Sequence, residues 1–147
     1  MNTQQIGKAG ELLVQYQLLK LGIESSPLTT DSGIDLVAFS NQKNKPFTIQ
    51  VKANEKPKPG GGKGALALDW WLRENSPTEL VALVDLSHNR TWLFLHSTFA
   101  QLAQQKSNGK FHFYMYLSDD VSAKKRAKVC EFEEFLIENQ VGSIFGV

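Results

Sequence analysis

An aspartate, a glutamine and a lysine interrupt two apolar runs in the first half of the chain: Asp35 in Gly33-Ile34-Asp35-Leu36-Val37-Ala38-Phe39, and Gln50 and Lys52 in Phe47-Thr48-Ile49-Gln50-Val51-Lys52. The segment between the runs, Ser40-Asn41-Gln42-Lys43-Asn44-Lys45, is polar and turn-forming, so the spacing predicts a β-hairpin. With the turn centred between Gln42 and Lys43, Asp35 falls opposite Gln50, their Cβ atoms about 5 Å apart. Alternation then puts Thr48, Gln50 and Lys52 on one face and Phe47, Ile49 and Val51 on the other. A carboxylate, an amide oxygen and an ammonium converge on one patch, a donor set suited to a hard divalent cation and a phosphodiester.

Around that patch the charge is uneven. The 147 residues carry a net charge of +1, yet 41–64 hold six lysines (Lys43, Lys45, Lys52, Lys56, Lys58 and Lys63) against Glu55 alone, a local charge of +5 that leaves −4 on the rest. A basic segment beside a candidate phosphate site matches the electrostatic footprint of nucleic-acid binding, with Lys43, Lys45, Lys56, Lys58 and Lys63 as its contacts; a solvated lysine loop is the alternative. The single cysteine, Cys130, excludes an intrachain disulfide and a cysteine-based zinc site, and His88, His96 and His112 lack metal-ligand spacing. No basic-then-apolar leader opens the sequence and no apolar run reaches membrane-spanning length, so a soluble, cytoplasmic protein without a membrane partner is expected. A hydrophobic share of 41% in a chain of this length fits one domain over 1–147.

The elements that must position the patch read as α/β. Residues 3–21 predict a helix capped by Asn2 or Thr3 and stopped by Gly22, its apolar stripe formed by Ile6, Ala9, Leu12, Leu13, Tyr16 and Leu19. Residues 23–28 read as a short edge strand or a loop, and 29–33 as a turn. The two prolines and four glycines of 53–64 predict a basic loop without elements, either a substrate-embracing flap or a plain connector. Beyond it the patterns predict a helix over 65–74, a strand over 79–86 paired as a hairpin with one over 90–96, and a helix over 98–106 capped by Ser97. A half-buried strand over 111–117, a candidate homodimer interface, and a helix over 121–139 follow. That last helix is basic early and acidic late, against the helix dipole. Trp70 and Trp71, with His112, Tyr114 and Tyr116, are either core residues or platforms for stacking on bases.

In this order of elements, Ile34-Asp35 followed by Gln50-Val51-Lys52 resembles the PD-(D/E)xK nuclease superfamily. Gly7-Lys8-Ala9-Gly10-Glu11 is similar to the first-helix signature of its archaeal Holliday junction resolvases. Asp31-Ser32-Gly33-Ile34-Asp35, Asp69-Trp70-Trp71-Leu72, Glu79-Leu80-Val81-Ala82-Leu83-Val84-Asp85 and Thr91-Trp92 are similar to a bacterial domain family of that superfamily, the likeness running through roughly residues 3–106. The resemblance implies a restriction-endonuclease-like αβββαβ core with a mixed central sheet flanked by helices. It also implies Mg²⁺- or Mn²⁺-dependent hydrolysis of DNA, with RNA left open as substrate. Asp35, Gln50, Lys52 and Glu11 would be catalytic; Asp35, Gln50, Glu11 and the carbonyl of Val51 would hold the metal, and Lys52 would orient or deprotonate the attacking water and stabilise charge on the phosphorane.

Gln50 stands where the superfamily pattern has an acid. Its amide oxygen is a hard donor, but one negative charge is lost, so Mg²⁺ should bind less tightly unless Glu11 or Asp31 compensates. The alternative reading is a catalytically inactive nuclease fold that binds DNA or a protein partner. Each residue also has a plain structural reading: Asp35 a turn-amide acceptor, Lys52 a snorkelling strand-end lysine, Gln50 a cross-strand hydrogen bonder, Asp31 a turn former, and Glu11 a surface glutamate away from the apolar stripe, near Val14, Gln15 and Leu18.

Overall fold

The computed structural model describes residues 1–30, 32–62 and 64–147; Asp31 and Lys63 lie outside the described residues. Local chemistry builds the predicted hairpin first. Strands β2 (Leu36–Ser40) and β3 (Lys45–Asn54) pair antiparallel with Leu36 opposite Ile49 and Ser40 opposite Lys45, the register that the turn position predicts. Asn44 takes the left-handed φ of 51° that closes the turn, a conformation asparagine tolerates. The Ser40 hydroxyl accepts from the Lys43 amide at 3.0 Å and donates to the Phe145 carbonyl at 2.6 Å, fastening the turn to the C-terminal helix. Phe47, Ile49 and Val51 are buried while Thr48, Gln50 and Lys52 are half-buried, as alternation requires.

A five-stranded mixed sheet grows around this hairpin in the order β1-β2-β3-β6-β7, where β1 is Glu24–Pro27, β6 Leu80–Asp85 and β7 Arg90–Leu95. Only β3 and β6 run parallel. All six residues of β6 are buried because both faces of the sheet are covered. On one face lie helix α1 (Thr3–Lys20), through Val14 and Leu18, and helix α3 (Ile137–Phe145), through Ile137, Val141 and Phe145. On the other lies a four-stranded antiparallel sheet, β4-β5-β9-β8, formed by Lys58–Pro59, Leu66–Arg73, Lys110–Tyr116 and Gln105–Ser107. Leu68, Trp70, Phe113 and Met115 of this second sheet pack on Val81, Leu83, Trp92 and Phe94 of the first.

Several expectations need correction. Residues 65–74 do not form a helix: Leu66–Arg73 is strand β5, with Leu68, Trp70 and Leu72 inward and Asp69, Trp71 and Arg73 outward, held by seven residue pairs with β9. The 53–64 segment is not free of elements, since β3 runs to Asn54 and Lys58–Pro59 pairs with Ala67 and Leu66. The helix of 121–139 is replaced by an irregular stretch, a 3-10 turn over Val129–Phe135, and α3, which explains the adverse charge order: Arg126 and Glu134 are an ion pair between separate segments. Helix α2 is His96–Leu102, preceded by Leu95 rather than capped by Ser97, and 105–107 leave it as strand β8. Strand β9 is flanked by β5 and, over residues 110–112, by β8.

The face of α1 also differs from the predicted stripe. Asn2 caps the helix through a reciprocal capping box with Gln5. Its buried line is Gly10, Val14 and Leu18, at i, i+4 and i+8, whereas Leu12, Tyr16 and Leu19 are 53%, 59% and 63% exposed. Gly10 makes the difference: a Cβ there would stand 2.7 Å from the Ala53 Cβ, so only glycine lets the helix cross β3 this closely.

Candidate active site

The close crossing at Gly10 brings the next residue, Glu11, over β3. Glu11 is half-buried, and it shares a cavity of about 550 Å³ with Asp35, Gln50, Val51 and Lys52. Burial, and after it the negative charge of Asp35, push the Glu11 carboxyl above its ordinary pKa, with Lys8 offsetting part of the shift. The helical-wheel reading of Glu11 as remote used the wrong face, because Val14 and Leu18 line the buried side.

Asp35 sits where β2 leaves its partner. Its amide still donates to the Ile49 carbonyl at 3.0 Å, and its carbonyl accepts from Leu28 at 3.1 Å, so the backbone is fixed on both sides. Its Oδ2 accepts from the Val51 amide at 2.7 Å, taking the place a next β2 residue would occupy. Backbone groups two residues apart on a strand face the same neighbour, so the Val51 carbonyl, like that of Ile49, points past the end of β2 toward the cavity. The expected position of Asp35 beside Gln50 follows from the observed register.

Gln50 has a partner that sequence reading did not identify. Its Oε1 accepts a hydrogen bond from the Ser76 hydroxyl, which stands 3.4 Å from the Thr78 hydroxyl. An amide oxygen has two lone pairs, and Ser76 engages one of them. Ser76 follows β5, and no pattern before it signals the role. Lys52 extends from the same face of β3 and lines both this cavity and a neighbouring one with Gln50, Arg73 and Ser76.

Asn54 and Asp69 also line this cavity, Asn54 without a sequence signal. The Asn54 side chain donates to the Asp69 carbonyl at 2.7 Å and accepts from the Asp69 amide at 3.1 Å, a two-bond clamp that ties β5 to the end of β3. The predicted phosphate-contacting lysines divide. Lys56 and Lys58 line the cavity. Lys43 donates to the Ser143 carbonyl at 3.1 Å, and Lys45 pairs with Glu79 at 2.8 Å and covers the Phe47 ring, at the far end of β3 about 16 Å from Gln50. Lys63 lies outside the described residues.

The donor set fits a small hard cation. Mg²⁺ keeps several waters and needs only one or two carboxylates, and Glu11, Asp35 and the Val51 carbonyl supply that number of oxygens. Among the described residues no group of three or more His, Cys, Asp or Glu is placed to hold a metal ion. No described helix is long and apolar enough to cross a membrane.

No protein-family model matches the chain, and no curated protein matches its sequence. Solved structures do match its fold. A bacterial homing endonuclease superposes with a TM-score of 0.66 at 14% identity, covering 100% of this chain and 99% of its own. The Holliday junction resolvase Hjc of Archaeoglobus fulgidus superposes with a TM-score of 0.51 at 16% identity, covering 73% of this chain and 82% of its own. The mixed five-stranded sheet with its helices is therefore a nuclease fold of the restriction-endonuclease type.

Proposed function

We propose that the chain is a divalent-metal-dependent endonuclease that hydrolyses phosphodiesters of DNA. The observation that carries this reading is the meeting of Glu11, from α1, with Asp35 and Lys52, from the hairpin, in one cavity: two acids and a cation from separate elements at a strand end. A bound Mg²⁺ or Mn²⁺ would polarise the phosphate and lower the pKa of a coordinated water. Glu11, Asp35 and the Val51 carbonyl would hold it. The Lys52 ammonium, which lines the cavity, would face the phosphate oxygens and oppose the charge that develops as the water oxygen–phosphorus bond forms and the ester oxygen–phosphorus bond breaks, the water proton passing to solvent and the leaving oxygen taking one up. Gln50, braced by Ser76, orients rather than charges the site, and Lys56 and Lys58 hold the flanking backbone.

The test is cleavage of supercoiled plasmid, a four-way DNA junction and an RNA of matching sequence with Mg²⁺ or Mn²⁺. Wild type should cut DNA, and Asp35→Ala and Lys52→Ala should each lose at least about 100-fold in rate. Metal-dependent cutting that survives both substitutions would falsify the assignment of the site; preferential cutting of RNA would move the substrate, and binding without cutting would make the chain a silent nuclease fold.

A further inference from the structure

The outer face of the second sheet carries a second cavity, of about 660 Å³, which opens beside the candidate active site and shares Lys58 and Asp69 with it. One wall, formed by β9, is aromatic. Tyr114 and Tyr116 alternate along β9, rings 5.8 Å apart and edge-on, and Tyr116 stands opposite Ala67 of β5. Across the opening runs β4 and the residue after it: a Cβ on Gly60 would lie 3.5 Å from the Tyr116 ring, so the segment closes on the tyrosine. At the other end Trp71 stacks flat on His112, centroids 3.9 Å apart at 4°, and Asp69 holds the His112 Nε2 at 2.9 Å.

We propose that this cavity receives one unstacked nucleobase of the nucleic-acid strand whose phosphate occupies the candidate active site. The inference rests on the nuclease reading and narrows its substrate to strands with an unpaired or extrudable base next to the cut. The aromatic wall that β9 presents suits one face of a base, since base–aromatic stacking is tolerant of sequence. Lys58, at the boundary of the two cavities, suits the intervening phosphate. Position supports the same occupant: Ala67 is two residues, about 7 Å, from Asp69 along β5, and the Asn54 clamp fixes Asp69 to the end of β3. A strand threading the first cavity thus reaches the second within one nucleotide.

The experiment measures binding in EDTA, without cleavage, of a short duplex bearing one 2-aminopurine either paired with thymine or opposite an abasic position. The unpaired duplex should bind about tenfold or more tightly, with quenched 2-aminopurine emission. Tyr114→Ala and Tyr116→Ala should reduce that preference to the paired level, and Tyr116→Phe, which keeps the ring, should retain it; thermal unfolding of each variant establishes that it is folded. Equal affinity of wild type for both duplexes, or a preference indifferent to both alanine variants, overturns the proposal. So does dAMP that saturates the quenching site as tightly as the strand, which would make the cavity a free-nucleotide site. Because no metal is present, these outcomes are independent of plasmid cleavage, and either reading can fail alone.

Discussion

Two aspartates close the two ends of one sheet corner, and their surroundings differ in what is left over. Asp85, the last residue of β6, has a fully buried side chain; it accepts from the Ser87 amide at 3.0 Å, the Ser87 hydroxyl at 2.6 Å and the Arg90 guanidinium at 3.0 Å, with His88 Nδ1 2.9 Å away. Burial alone would raise its pKa; hydrogen bonds from Ser87, Arg90 and His88, with the charge of Arg90, outweigh that and hold the carboxyl below its ordinary value. Asp35 accepts one backbone amide and otherwise faces a cavity that contains a second acid, Glu11, whose pKa is raised. A saturated carboxylate holds a turn together. One with spare lone pairs beside another acid is available for a ligand, and the structure tolerates an electrostatic cost to keep it so.

Substitutions should separate the two corners. The largest contrast is between activity and stability: Asp35→Ala should leave the folded fraction nearly unchanged while removing cleavage, whereas Asp85→Asn should cost about 3 kcal/mol of stability by removing the buried charge that pairs with Arg90 and turning an amide toward the Ser87 and Arg90 donors, with the activity per folded molecule retained. Urea unfolding and plasmid cleavage on the same samples measure both, and a destabilised Asp35→Ala with an intact Asp85→Asn would reverse the comparison. The pH dependence sharpens it. The depressed Asp85 pKa contributes stability that is present above its unfolded pKa and lost as pH falls through the folded value, so Asp85→Asn should flatten the acid limb of the stability curve.

Glu11 has the opposite sign: its folded pKa is raised, so its contribution worsens as pH rises from the unfolded toward the folded value. Glu11→Gln should therefore raise the unfolding temperature slightly at neutral pH, by removing an unfavourable charge beside Asp35, while weakening Mg²⁺ binding measured by calorimetry. A fall in both stability and metal affinity would instead mark Glu11 as structural. The smallest expected effect concerns the lysines: replacing Lys56 or Lys58 with alanine should lower DNA affinity and the magnitude of its salt slope by about 1 each, and replacing Lys43 should change neither, because Ser143 already holds it at the far end of β3.

What could be read in advance follows from range. The β2–β3 register was accessible because a polar turn and period-2 alternation act over a few residues, and the same holds for β6, β7 and β9. Leu66-Ala67-Leu68-Asp69-Trp70-Trp71-Leu72-Arg73 supports helix and strand nearly equally as an isolated string; seven pairs with β9, forty residues on, decide it. For α1, counting apolar residues selected Leu12, Tyr16 and Leu19, since a hydrophobicity count gives glycine no weight, yet Gly10 sets the contact. Resemblance alone had singled out Glu11, and the helix crossing now gives its placement a physical cause. Ser76 and Asn54 had no local signal, because each acts through a partner from another element.

By itself the sequence determined the hairpin, its register, and with them the neighbourhood of Asp35, Gln50 and Lys52, since turn chemistry and alternation are properties of adjacent residues. Tertiary structure alone decided that Glu11 faces them, that Gln50 is braced by Ser76, and that an aromatic cavity adjoins the site. Those juxtapositions depend on which faces of α1 and β5 bury against the central sheet, and burial is chosen by the packing of the whole molecule.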